Sequence, residues 1–216
     1  MSQTQVISIE GNIGSGKSTL LEDLKDFVSD EKFVYLKEPV DEWTNVCDKN
    51  NKNILEKFYS DQEKHSFAFQ MLACTTKYLK LKEAIQENTE QVIISERSLD
   101  SDRNIFAEML YDDGKIEDIH MEIYKKTHQN FSKDIPGNKF IYVYTDPEVA
   151  FTRCQKRNRK GEQGIPFEYL KKCHEYHEKW LVNTKRQCQV YMFDGNIEKS
   201  DRPQEMLSQL CEFINL

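Results

Sequence analysis

Residues 10–19 read Glu-Gly-Asn-Ile-Gly-Ser-Gly-Lys-Ser-Thr and fit the pattern G-x-x-x-x-G-K-[ST], with Gly11, Gly16, Lys17 and Ser18 in register. The pattern constrains both fold and chemistry. Glycines let backbone N–H groups close around phosphate oxygens, a lysine offsets the β and γ charges, and a hydroxyl serves Mg²⁺. The loop therefore offers Gly11, Asn12, Ile13, Gly14, Ser15, Gly16, Lys17, Ser18 and Thr19 to a nucleotide, with Lys17 also catalytic. Its flanks agree. Gln5 to Glu10 reads as a strand, and Thr19 to Val28 places apolar residues at 20, 21, 24, 27 and 28, a helical period. Strand, glycine loop and helix N-terminus make an anion site.

The rest of the chain alternates in the same way. Lys32–Lys37 reads as a second strand stopped by Pro39, which places Glu38, Asp41, Glu42 and Trp43 at a strand's carboxyl end, where open α/β sheets bind ligands. Residues 53 to 88 carry long helical periodicity without Gly or Pro, read as two helices. Gln91–Ser95 is an apolar strand running into Glu96-Arg97-Ser98. Helices are predicted at about 101–111 and 116–132, a strand at Lys139–Tyr144, and a helix opened by Asp146-Pro147 that runs into the basic stretch Arg153–Lys160. A helix from Ile165-Pro166 to about Arg186, a strand Gln189–Phe193 and a terminal helix at about 203–214 complete the pattern. Five strands alternating with helices predict an α/β fold, a five-stranded parallel sheet covered on both faces, in one domain spanning 1–216.

Composition narrows the partners. A net charge of −7 argues against general nucleic-acid binding, which needs a basic face. Six scattered cysteines with no C-x-x-C pair suggest neither zinc nor a disulfide framework, and fit a reducing compartment. The first strand begins within a few residues of Met1, leaving no room for a signal or transit peptide. No apolar run approaches ~18 residues. The expectation is a soluble protein of the cytoplasm or nucleus, with no membrane partner.

Taken in order, these features resemble the deoxynucleoside kinase family, in the branch of deoxycytidine kinase, deoxyguanosine kinase and insect multisubstrate kinase. The matching motifs are the phosphate loop, Glu38-Pro39-Val40 with Trp43, Phe69-Gln70, Glu96-Arg97-Ser98, Asp102-Arg103, the run Arg153/Arg157/Arg159, and Glu162-Gln163-Gly164-Ile165-Pro166 before Glu168-Tyr169-Leu170. The resemblance implies a phosphate-loop kinase fold with a basic lid at about 153–163. The implied reaction moves the γ-phosphoryl of ATP or another NTP to the 5′-hydroxyl of a deoxynucleoside, with Mg²⁺, in a homodimer. It implies Glu38 as the base that accepts the hydroxyl proton and Arg97 as a donor to the same oxygen. Ser18 and Glu96 would serve the metal, and Arg153, Arg157 and Arg159 would clamp the phosphoryl.

For the nucleoside, the resemblance pairs Tyr59 and Glu162 on the 3′-hydroxyl, packs Trp43, Phe69 and Phe106 on the base, and gives Gln70 its edge. Ala73, Lys77 and Asp102 match the positions that separate cytidine and purine kinases from thymidine-accepting ones. Asp102, ionised, only accepts hydrogen bonds and suits an exocyclic amino group. Lys77 departs from the arginine of the cytidine and guanosine kinases, which leaves the choice of base open with a purine-tolerant enzyme favoured. The rivals are a nucleoside monophosphate kinase of the thymidylate kinase type and a nucleotide-binding regulator without activity. The five histidines, of which only His174 and His177 lie close, form no metal pattern.

Overall fold

The computed structural model describes residues 4–28, 31–137, 139–159, 161–162, 164–183 and 188–215. Lys160 and Gln163 of the expected lid, and the expected helix end near Arg186, lie outside them.

All five strands are parallel: β1 (Gln5–Glu10), β2 (Phe33–Leu36), β3 (Val92–Glu96), β4 (Lys139–Tyr144) and β5 (Gln189–Asp194), in the order β2-β3-β1-β4-β5. β1 is central, and its alternation separates two apolar layers. Ile7 and Ile9 face Leu20, Leu21 and Leu24 of α1 (Lys17–Phe27) and Leu210 and Ile214 of the terminal helix. Val6 and Ile93 face the opposite layer with Phe69, Ala73 and Leu81. Each large apolar side chain buried this way contributes about 2 kcal/mol. That reserve offsets the charges and backbone strain concentrated at the strands' carboxyl ends.

The helical layer contains α2 (Val40–Asn45), α3 (Ile54–Ser60), α4 (Gln62–Glu87), α5 (Leu99–Ser101), α6 (Glu108–Asp112) and α7 (Asp118–Ser132). α8 (Pro147–Arg157), α9 (Phe167–His177) and α10 (Gln204–Asn215) follow. The expected pair of helices over 53–88 is present. It is divided by Asp61, which ends α3 and caps α4, while Asn53 and Glu56 form a reciprocal capping box at the start of α3.

Three local features differ from expectation. Pro39 both ends the second strand's run and precedes the unexpected short helix α2. Asp102–Ala107, expected within a regular α-helix, is a π-helical segment between α5 and α6. Such widened turns often mark functional sites. A second one, Glu178–Val182, continues α9.

Candidate active site

The phosphate loop is shaped by close approach. A Cβ on Gly14 would lie 2.4 Å from the Ala150 carbonyl oxygen and 2.6 Å from Cys154 Sγ, so only glycine lets the loop pack against α8. Thr145 Oγ1 donates to Ser15 O at 3.1 Å, and Asn12 Nδ2 to Leu170 O at 2.8 Å, tying the loop to β4's end and to α9. Lys17 is buried and donates to Asn12 O at 2.7 Å. Burial, reinforced by the Arg97 charge, brings its ammonium down to about 7.

Ser18 Oγ donates to Glu96 Oε1 at 2.6 Å. A hydroxyl and a carboxylate side by side are the hard oxygen donors that Mg²⁺ takes beside nucleotide phosphates, and the pair fits that ion. No cluster of three or more metal-ligating side chains occurs among the described residues.

Arg97 follows β3 with φ 65°, a left-handed conformation that costs a non-glycine residue on the order of 1–3 kcal/mol. The turn lays its guanidinium over the Phe106 ring at 4.8 Å and brings Nε 3.3 Å from Glu38 Oε1. Lys77 Nζ, reaching in from α4, lies 3.6 Å from the same oxygen and donates to Asp102 Oδ1 at 2.6 Å. Burial pushes the Glu38 carboxyl up, but Arg97, Lys77, Lys17 and Arg159 together outweigh it and hold it below the usual range. Burial likewise disfavours the Lys77 charge, and Asp102 and Glu38 more than restore it. The Lys77–Asp102 pair is therefore an interior one, and of the two only Asp102 lines the cavity.

A cavity of about 430 Å³ opens between these groups, within the range of small-molecule sites. Trp43, Tyr59, Phe69, Gln70, Ala73, Asp102, Phe106 and Glu162 line it with the phosphate loop, Glu38, Glu96, Arg97, and Arg153, Arg157 and Arg159 of the basic run. The aromatic wall is held rigidly. Trp43 meets Phe69 edge-on at 5.4 Å and donates from Nε1 to Thr76 Oγ1 at 2.9 Å, while Tyr59 meets Tyr169 edge-on at 6.0 Å. Asp102 Oδ2 and Gln70 Oε1 are buried without a hydrogen-bond partner.

The basic run divides its work. α8 ends at Arg157 because Asn158 is left-handed, φ 46°. The chain then turns so that Arg157 and Arg159 both pair with Glu162, Arg159 Nη1 at 3.1 Å from Oε1. Arg153, expected beside them, is instead bound to the segment after β5. It donates to Gly195 O at 2.6 Å, to Asn196 O at 3.4 Å and to Glu198 Oε1 at 3.1 Å.

Val40 and Tyr169, quoted from sequence only as motif residues, also line the cavity, as do Leu55, Glu198, Lys199 and Arg202, which sequence reasoning missed. The last three follow the carboxyl end of β5, so the rule that located Glu38 would have found them.

A parallel sheet with a phosphate loop at its centre, an acceptor-sized cavity and a carboxylate set between cations defines a phosphate-loop phosphotransferase acting on a small acceptor. The deoxynucleoside kinase family model matches residues 7–215. Human deoxycytidine kinase is 32% identical over 97% of this chain and 90% of its own length. The probable deoxycytidine kinase of fowlpox virus (strain NVSL) is 33% identical over 97% and 88%. The mitochondrial deoxyguanosine kinase of Xenopus laevis is 33% identical over 87% and 76%. The chain belongs to the deoxynucleoside kinase family. It is thus a nucleoside kinase drawing on a nucleotide phosphate donor, and the thymidylate kinase alternative is not favoured.

Proposed function

We propose that the enzyme transfers the γ-phosphoryl of ATP, or another NTP, to the 5′-hydroxyl of deoxycytidine or a purine deoxynucleoside in preference to thymidine, in nucleotide salvage. The observation that carries this reading is the buried Asp102 carboxylate, fixed by Lys77 through one oxygen and unpartnered at the other, in the wall of the acceptor cavity.

Glu38 is the base. Held ionised by its cationic neighbours, it accepts the 5′-hydroxyl proton as the oxygen attacks. Arg97 donates to that oxygen and to the charge developing on the phosphoryl. Lys17 and the loop N–H groups hold the β and γ phosphates, and Arg157 and Arg159 close on the transferring group. Ser18 and Glu96 would hold Mg²⁺, which when bound neutralises donor phosphate charge. Tyr59 and Glu162 receive the 3′-hydroxyl. Trp43, Phe69 and Phe106 pack on the base, whose amino group donates to Asp102 while Gln70 reads its edge. Thymine presents a carbonyl oxygen to Asp102, leaving two acceptors facing each other, a mismatch that buried sites reject by up to ~10⁴.

Residues 1–216 are proposed to act as one domain, with 153–163 as the lid. Two copies are proposed to pair through α4 and α7, which pack together and leave Leu79, Ile119 and Ile123 exposed. Ile119→Glu should convert the dimer to monomer in sedimentation equilibrium. Six free cysteines suit a reducing compartment such as the cytoplasm. No helix among the described residues is long and apolar enough to cross a membrane.

The test is a phosphorylation assay with ATP and Mg²⁺ across the four natural deoxynucleosides and their monophosphates. Thymidine should be the poorest nucleoside, and Lys77→Met with Asp102→Ala together should raise its kcat/KM while lowering that of deoxycytidine. A wild-type preference for thymidine would overturn the base assignment and leave the kinase standing.

A further inference from the structure

Arg97 holds its left-handed backbone because hydrogen bonds fix it on both sides. Its own N–H donates to Ile9 O at 3.0 Å, and its carbonyl oxygen accepts from Ser95 Oγ at 2.9 Å. The next N–H, that of Ser98, donates to Glu10 Oε1 at 2.8 Å. Of these acceptors and donors only Glu10 is ionisable, and it is fully buried, at 0% exposure. It ends β1 immediately before the first loop glycine, so one residue stands between the phosphate loop and the turn that aims Arg97.

A carboxylate is a costly way to accept from Ser98, whose N–H and hydroxyl both reach it, since an amide in its place would accept without burying charge. Its second oxygen, Oε2, has no hydrogen-bond partner. What the charge adds is attraction: after burial, Arg97 is the strongest influence on Glu10, and Glu10 follows Glu38 among the anions that keep Arg97 charged. We propose that Glu10 is a positioning residue for Arg97. It locks the strand-to-helix turn through Ser98 N–H and supplies the counter-charge that holds the guanidinium toward Glu38. This inference rests on the reading of Arg97 as a donor to the reacting oxygens.

The experiment is a double-mutant cycle on the full chain, read by steady-state kinetics and checked by thermal melting. Glu10→Gln keeps the acceptor and loses the charge, so kcat measured at pH 8, where Glu10 is ionised, should fall about fivefold. Glu10→Met loses both and should cost about 10²-fold, with the nucleoside KM within about threefold in each. In an Arg97→Ala background, Glu10→Met should add less than about threefold, because the two residues act as one unit. Multiplying effects, or a Glu10→Met enzyme at full speed while Arg97→Ala is slow, would overturn this inference alone. An Arg97→Ala enzyme at full speed would overturn the reading of Arg97 and the inference with it. An arm that needs no variant to fold is amide exchange by NMR in the wild-type enzyme. There Ser98 N–H should be among the slowly exchanging amides, and exchange at the rate of an exposed loop would overturn the clamp.

Discussion

Lys77 Nζ lies 3.6 Å from Glu38 Oε1 while it donates to Asp102 Oδ1 at 2.6 Å, so two carboxylates of the cavity wall share one buried cation. A lysine suits this place because its ammonium is a compact point charge that can face two carboxylates at once. The side chains of Lys77 and Asp102 are each 3% exposed, so solvent does little to screen them.

Removing one member of such a pair should cost more than removing both. Lys77→Met leaves Asp102 buried without its partner and should lower unfolding free energy by about 3 kcal/mol or more, whereas Lys77→Met with Asp102→Leu should recover most of that. Urea denaturation of the three proteins checks it. A double variant less stable than Lys77→Met would show that the pair is not the source of the cost.

Glu38→Gln keeps shape and polarity but cannot take a proton. Turnover should fall by ~10²-fold or more with nucleoside affinity largely preserved. Because its cationic neighbours hold Glu38 low, wild-type kcat should show no loss attributable to this group between about pH 6 and 8. Near-normal turnover in the variant would remove Glu38 from the chemistry.

The three arginines should separate. Arg157→Ala and Arg159→Ala should each lower kcat more than they raise the nucleoside KM, since both side chains reach Glu162 at the cavity's edge. Arg153→Ala should act chiefly on the nucleotide KM, because Arg153 anchors the 195–198 segment instead. Equal kinetic signatures in all three would erase the distinction.

Burial pushes Glu10 from its ordinary 4.5 up to about 7, against the pull of Arg97. An acid whose folded value lies above its unfolded value stabilises the fold when protonated. Its contribution is thus complete below about pH 4.5 and is lost as pH rises through about 7. A rise of roughly 2.5 units at 1.36 kcal/mol each makes this about 3 kcal/mol. The stability difference between wild type and Glu10→Gln should therefore shift by that order between pH 5 and 8, in favour of the variant at the higher pH. Parallel stability curves from urea unfolding would contradict it.

The phosphate loop, the five-strand alternation and the placing of Glu38, Glu96 and Arg97 at strand ends were legible from sequence. Each rests on contiguous residues or on a rule tied to a strand's end. The same rule reached Trp43, whereas Phe69, Gln70 and Asp102 were legible as site residues only through resemblance. Nothing in their spacing says that α4 and the π-helical segment converge on one cavity. The tertiary structure alone decided that Arg153 leaves its neighbours for Gly195 and Glu198, forty-two and forty-five residues away along the chain. It alone placed Lys77 against Asp102 and within reach of Glu38. Glu10 is the clearest case. As the residue before Gly11 it reads as the end of a strand, and its bond to Ser98, 88 residues on, exists only because β1 and β3 lie side by side in parallel register. Local sequence sets what a residue can do chemically. Which charge it meets at 3 Å is set by the packing of the sheet, because Coulomb and hydrogen-bond energies depend on distance in space and not along the chain.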